Sequence, residues 1–188
     1  MSHLKNVIKN NLKAIGIVLI AIAALIYLCN IFMNYQEQEY IETIITESFS
    51  EESKGEVNNI RYLGYIYIPE IGSKRLIRYG TSARILDANF VGKHDLSAGL
   101  DEEYGNIILA GHNTRSVFAN LRRLSTGDII IIGTHHHKYT FEVSNKKIIE
   151  VDDFGIFEAI DDRKVLTIIT CTKGGKQRLV VTAELVEE

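Results

Sequence analysis

Cys171 and Arg178 are the residues of this chain whose types and spacing point most directly to chemistry. They lie in Val165-Leu166-Thr167-Ile168-Ile169-Thr170-Cys171-Thr172-Lys173-Gly174-Gly175-Lys176-Gln177-Arg178-Leu179-Val180-Val181. Two β-branched runs joined by Gly-Gly are a strong hairpin signal. With Gly174-Gly175 as the loop, Lys173 faces Lys176, Thr172 faces Gln177 and Cys171 faces Arg178. Directly opposed residues of an antiparallel pair project from one face, with Cβ atoms roughly 4.5–5.5 Å apart. The hairpin therefore aims a thiol and a guanidinium at one point. A cation beside a thiol favours the thiolate, which is the nucleophilic form.

The elements that must position this pair follow an apolar N-terminal run. Ala14 to Met33 carries no charged side chain, and these twenty residues are enough to span a bilayer core as a helix. Lys5, Lys9 and Lys13 precede it with no acid among them, whereas Glu37, Glu39, Glu42, Glu47, Glu51 and Glu52 follow. Lysines on the N-terminal flank place that end in the cytoplasm and the rest of the chain outside. The alternative is a cleaved signal peptide. Its apolar region would be shorter, about 7–15 residues, with a small-x-small site after it. Ala21-Ile22-Ala23 falls inside the run instead. The expected organisation is a cytoplasmic N-terminus over 1–13, an anchor over 14–33, an extracellular linker over 34–59 and a catalytic domain over 60–188.

Net charge is −3 with no prominent basic face, which argues against nucleic acid as the main partner. The chain has two cysteines. Cys29 sits in the apolar run as a small hydrophobe, which leaves Cys171 alone in the exported domain. A lone exported thiol is either buried and inert or used, and the opposed arginine favours use.

The rest of the chain reads as short strands with turns between them. Tyr62 to Ile68 is a strand stopped by Pro69, the only proline. Lys74 to Arg78 is a second strand, and Ser82 to Phe90 a helical turn. Gly105 to Gly111 is a buried-type strand. Thr114 to Leu124 suits a short helix with Val117, Phe118, Leu121 and Leu124 on one stripe. Ile129 to Ile132, Tyr139 to Ser144 and Lys147 to Val151 are further strands, and Asp152 to Arg163 is a polar connection. This pattern predicts an all-β-dominated fold, a closed or nearly closed antiparallel barrel.

A thiol nucleophile needs a base nearby, and six histidines compete for that role. His3 lies on the cytoplasmic flank. His135, His136 and His137 are consecutive between two strands and cannot all face one point, so they read as a solvated turn, with metal binding the weaker alternative. His94 and His112 remain. His112 follows Ile107 to Gly111 at the end of a strand, where side chains project into a cleft. Its other reading is a hydrogen-bonded structural histidine.

Here the residues resemble a known family. Ala110-Gly111-His112-Asn113, followed by Phe118-x-x-Leu121 and a Gly127-Asp128 turn into a strand, resembles the histidine segment of sortases. Thr167-Ile168-Ile169-Thr170-Cys171 with Arg178 seven residues on resembles their TLxTC…R segment, with Ile168 in place of the usual Leu. Ile66 to Gly72 and Gly80-Thr81-Ser82 resemble the opening segments, and the likeness runs in order from about Tyr62 to Leu185.

The resemblance implies an eight-stranded sortase-type β-barrel with short helices behind an N-terminal transmembrane helix. It also implies a cysteine transpeptidase of the Gram-positive cell surface. Such enzymes cleave an LPxTG-like sorting signal of secreted proteins between Thr and Gly. They hold the new carboxyl end as a thioester, then pass it to an amine of a cell-wall precursor or a pilin lysine. Carried over by position, Cys171 is the nucleophile and His112 the general acid and later base. Arg178 binds the substrate backbone and stabilises the oxyanion. Thr170 helps shape the oxyanion site. His94, in Gly92-Lys93-His94, and Asn113 are placed with the substrate-binding residues. No metal or cofactor is implied. Calcium is an option only through Asp101-Glu102-Glu103 with Asp152, Asp153, Asp161 and Asp162, which otherwise read as a solvated acidic surface.

Ordinary Cys and His pKa values, about 8.5 and 6.5, make a thiolate–imidazolium pair a minority on the order of 1%, and equalising it with the neutral pair takes roughly 2.7 kcal/mol. Pilus-type members carry an Asp-Pro-aromatic lid before the barrel, but Asn34 to Asn59 has no proline. Asp152 to Lys164 leaves little room for the helix that another subgroup inserts. A single-anchor class, A- or D-like, fits best. Two other readings remain: a cysteine hydrolase of the same signal, with identical residues, and a non-catalytic surface adhesion barrel with Cys171 inert.

Overall fold

The structure, a computed structural model, describes residues 2–48, 56–57 and 60–188, in two compact units, 1–40 and 41–188. The first unit is a single helix, the greater part of α1 (Ser2–Ser48). Within α1, Lys13–Thr46 contains an 18-residue window of mean hydropathy 2.7 with none of it buried, so the helix is long and apolar enough to cross a membrane. Asn30, a polar residue inside the apolar run, donates its side-chain amide to the Ile26 carbonyl at 3.1 Å. That bond lowers the cost of carrying an amide in an apolar medium.

The second unit begins at Ile41, ahead of the expected start at 60. The reason is apolar burial. Ile41, Ile44 and Ile45 form a cluster with Tyr62 and Leu76, and Glu42 pairs with Lys74 at 2.6 Å. A two-stranded hairpin follows, β1 (Glu56–Val57) with β2 (Ile60–Arg61).

The remaining strands are β3 (Gly64–Ile68), β4 (Ser73–Tyr79), β5 (Val91–Lys93), β6 (Gly105–Ala110), β7 (Ile129–Gly133), β8 (Lys138–Glu150), β9 (Lys164–Thr172) and β10 (Gln177–Glu187). A one-turn helix, α2 (Ala83–Leu86), joins β4 to β5. The eight strands close into a barrel in the order β10-β8-β7-β3-β4-β5-β6-β9. The barrel is not wholly antiparallel, because β4–β5 and β6–β9 pair in parallel. Parallel neighbours need a crossover. One comes from the segment carrying α2, the other from the long excursion through β7 and β8.

Strand period decides what faces inward. Ile66, Ile68, Ile107, Leu109, Ile130, Ile132, Phe141, Leu166, Ile168, Leu179 and Val181 fill the barrel core. Val117, Phe118, Leu121 and Leu124 join that core, but the expected helix over 114–124 is a series of turns ending in one 3-10 turn at Leu121–Arg123. Val117 N–H donates to Thr114 O, Ala119 N–H to Thr114 O and Phe118 N–H to His112 O, so bonds of mixed span replace a regular i→i−4 ladder. The two strands expected around 139–151 are one strand, β8. Ser144 bulges out between the pairs Val143↔Ala183 and Asn145↔Thr182.

The barrel end where β6 and β9 begin is closed by a polar network. Asp101 accepts from Thr134 Oγ1 at 2.7 Å and from the Tyr139 hydroxyl at 3.2 Å, and Lys164 Nζ stands 3.4 Å from the Tyr139 ring centroid. Burial pushes the Tyr139 phenol up to about 12, reinforced by Asp101 and Glu188. Burial lowers Lys164 from its ordinary value, against the pull of Glu188, Asp101 and Glu102.

Candidate active site

The opposite barrel end holds the reactive residues. β9 and β10 pair with Cys171 directly opposite Arg178 and Thr172 opposite Gln177, the register the Gly-Gly turn predicts. Gly174 and Gly175 take φ of 66° and 89°, which glycine adopts without strain. Period 2 sorts the two strands. Ile168 and Leu179 lie in the core, so Cys171 and Arg178 project from the outer face. Cys171 is a free, partly buried thiol. The Arg178 guanidinium is held over the turn, Nη1 donating to Gly175 O at 2.9 Å and Gln177 O at 3.1 Å.

His112 arrives on the neighbouring strand. In the parallel pair β6–β9, Ala110 stands beside Ile169, and Gly111 N–H carries the ladder on to Ile169 O at 3.1 Å. Inward-facing Thr170 donates its hydroxyl to Gly111 O at 2.8 Å. The residue before His112 is thus bonded to β9 through both its N–H and its carbonyl, beside the residue before Cys171. A Cβ on Gly111 would meet the Phe118 ring at 2.6 Å, so only glycine lets the 112–118 turn fold this tightly. Cys171 and Arg178 therefore share the outer face, and the segment entering His112 is tied to the same strand through buried Thr170. Asn113 follows His112 and is exposed.

His94 is placed elsewhere. Its backbone N–H bonds Ile108 O, four residues short of His112 and so about 13 Å back along the strand at 3.3 Å per residue. Its ring packs tilted against Phe157 with centroids 4.6 Å apart, and its Nδ1 accepts from Leu96 N–H at 3.2 Å. Asp101, one of the acids considered for calcium, is taken up by Thr134 and Tyr139. Among the described residues, no three His, Cys, Asp or Glu side chains converge to hold a cation.

One residue at the site carries no motif in the sequence. Asp87, the C-terminal cap of α2, places Oδ1 2.8 Å from His112 Nε2. It lies 25 positions from His112, on a different element, so no spacing pattern announces it.

Residues 66–186, well over half the chain, match the sortase domain model. The chain belongs to the sortase family. This sortase is 31% identical over 108 residues to sortase D of Bacillus subtilis (strain 168), a match covering 57% of this chain and 53% of that one. It thus spans about half the length of the curated relative it matches. Its fold is similar to a sortase D5 transpeptidase from Clostridium perfringens, with TM-score 0.66, 32% identity, and 76% of this chain and 94% of that chain covered. It is also similar to sortase C1 of Streptococcus agalactiae, with TM-score 0.63, 26% identity, and coverage of 74% and 72%. The Bacillus subtilis and Clostridium perfringens relatives are both named as sortases D, which is compatible with an A- or D-like class. The closed eight-stranded barrel with short helices is the sortase fold.

Proposed function

We propose that this sortase is a membrane-anchored transpeptidase of class D type. It cleaves an LPxTG-like sorting signal through a thioester on Cys171 and transfers the protein to an amine of a cell-wall precursor. The single observation that supports this reading is the pairing of Cys171 with Arg178 on a strand whose Thr170 is bonded to Gly111, the residue before His112.

The steps balance with these groups. The Cys171 thiolate attacks the Thr carbonyl carbon, forming a C–S bond and an oxyanion. Arg178 stabilises that charge where it develops. The scissile C–N bond breaks as His112 gives its proton to the leaving amine. An incoming amine then gives a proton to His112, attacks the thioester carbon and expels the thiolate. Thr170 fixes the chain just before the nucleophile, and Asn113 lies beside the path of the substrate. Residues 14–33 anchor the enzyme in the lipid, 1–13 lie inside, 34–59 lead from the anchor to the barrel and pack on it through Ile41, Ile44 and Ile45, and the barrel works outside the membrane.

The test uses the full-length chain in detergent with a pooled library of LPxTG-like peptides and hydroxylamine, read by mass spectrometry. A hydroxamate ending at Thr is expected, lost in Cys171→Ala, His112→Ala and Arg178→Ala. Free acid alone, with hydroxylamine and amines ignored, would replace the transferase by a hydrolase. No product, with Cys171 no more reactive to alkylation than a free thiol, would support the adhesion barrel instead.

A further inference from the structure

We infer that Asp87 is a positioning residue for His112: its carboxylate holds the hydrogen on Nε2 and so makes Nδ1 the nitrogen that exchanges protons with the substrate amines. This rests on the reading of His112 as the acid and base.

The inference starts from donor and acceptor chemistry. An ionised carboxylate only accepts hydrogen bonds, and a neutral imidazole carries one N–H and one bare nitrogen. Asp87 Oδ1 lies 2.8 Å from His112 Nε2, so Nε2 must carry the hydrogen. The bare lone pair of the neutral ring is then on Nδ1. Which nitrogen of a histidine is free is set by the bond that the other one makes.

The backbone that carries the carboxylate is held in place by its neighbours. Asp87 N–H bonds Ala83 O at 2.8 Å, closing α2. The Leu86 side chain rests over Gly92, where a Cβ would meet Leu86 Cδ2 at 3.2 Å and Gly80 O at 2.3 Å. Gly92 pairs with Ala110, two residues before His112. A Cβ at position 92 would collide first with the Gly80 carbonyl, at the start of the connection that carries α2. Past Asp87 the chain turns sharply through Asn89, at φ 60°, and Asn89 Oδ1 accepts from Ser116 Oγ at 3.2 Å. Ser116 belongs to the turn that begins at His112, whose own carbonyl is bonded by Phe118 N–H at 3.1 Å. Imidazole and carboxylate are thus carried by two segments bonded to each other on both sides of the contact.

Exposure limits what the contact can do. The Asp87 and His112 side chains are 71% and 38% accessible. Coulomb attraction between exposed charges is screened by salt. The role is therefore to choose the tautomer and aim the ring.

The test combines nuclear magnetic resonance with kinetics on the full-length chain in detergent micelles. Two-dimensional spectra of 15N-histidine-labelled protein report which ring nitrogen carries hydrogen, and the His112 signals are assigned by their loss in His112→Ala. The wild type is expected to show the Nε2–H form. Asp87→Ala is expected to give a mixture of tautomers and to lower kcat by roughly tenfold, a part of the 10²–10⁴ that a general acid supplies, with KM little changed. Asp87→Asn keeps an acceptor and is expected to retain the tautomer and most of kcat. An unchanged tautomer in Asp87→Ala, or a changed tautomer with unchanged kcat, would overturn the inference. Full activity in His112→Ala would instead remove the acid–base reading on which it rests.

Discussion

Thr170 donates its hydroxyl to the carbonyl of Gly111 at 2.8 Å, so the residue before the thiol is bonded to the residue before the imidazole. Thr170 is 3% exposed and faces the barrel interior, beneath the site. Thr170→Val keeps the β-branched shape and removes the bond, leaving a buried carbonyl that has lost a donor. A loss of about 1–3 kcal/mol in stability follows. A fall in kcat/KM larger than that in Thr170→Ser should accompany it. Urea unfolding and steady-state kinetics on the pair of variants check this.

Gly111→Ala tests the packing behind His112. The added methyl would meet the Phe118 ring at 2.6 Å and Val117 Cγ1 at 2.8 Å. Overpacking of this kind costs about 1–3 kcal/mol. Phe118→Leu in the same chain should recover part of that loss, because it removes the ring atoms that the methyl meets. A double-mutant cycle of unfolding free energies reads the recovery directly.

Arg178→Lys keeps the charge opposite Cys171 and loses the planar fork. Both carbonyl contacts, at 2.9 and 3.1 Å, come from the one nitrogen Nη1, so what lysine lacks is the rest of the guanidinium's fixed fork of donors. If Arg178 stabilises the oxyanion, kcat should fall by about 10²–10³. A kcat within twofold of wild type would remove that role.

Alkaline pH should unfold this protein through Tyr139. Its folded-state value of about 12 stands above the ordinary 10.0. The folded protein holds this proton more tightly than the unfolded chain, so the contribution is fully present below pH 10 and is lost as pH rises towards 12. Lys164 works the other way. Its folded value is lowered, so the cost of burying it charged is relieved as pH climbs towards 10.5. Tyr139→Phe should therefore flatten the alkaline fall in stability, while losing one bond to Asp101 at neutral pH. Urea unfolding from about pH 8 to about pH 11 separates the two effects.

What could be read from the sequence follows the range of each interaction. The Cys171–Arg178 pairing was legible because it depends on eight consecutive residues with a Gly-Gly turn at their centre. The approach of His112 to Cys171 depends on the parallel register of Ala110 with Ile169. No local rule joins positions so far apart in the chain, and there the likeness to a family stood in for a derivation. The stripe of Val117, Phe118, Leu121 and Leu124 reported burial correctly but not helix, because turns around a core can place apolar residues at the same intervals. β5, at three residues, is too short to show alternation. His94 has a familiar neighbourhood in sequence, yet the geometry gives its ring to Phe157. Asp87 was silent because its contact with His112 comes from α2 lying on Gly92.

The most direct test of the central claim is the mass of the intact protein during turnover. The full-length chain in detergent, quenched with acid while cleaving an LPxTG-like peptide, should carry an adduct equal to the peptide through Thr. Proteolytic mapping should place the adduct on Cys171, and hydroxylamine should release it. Peptide cleavage that persists in Cys171→Ala, with no adduct on the wild-type chain, would contradict the account.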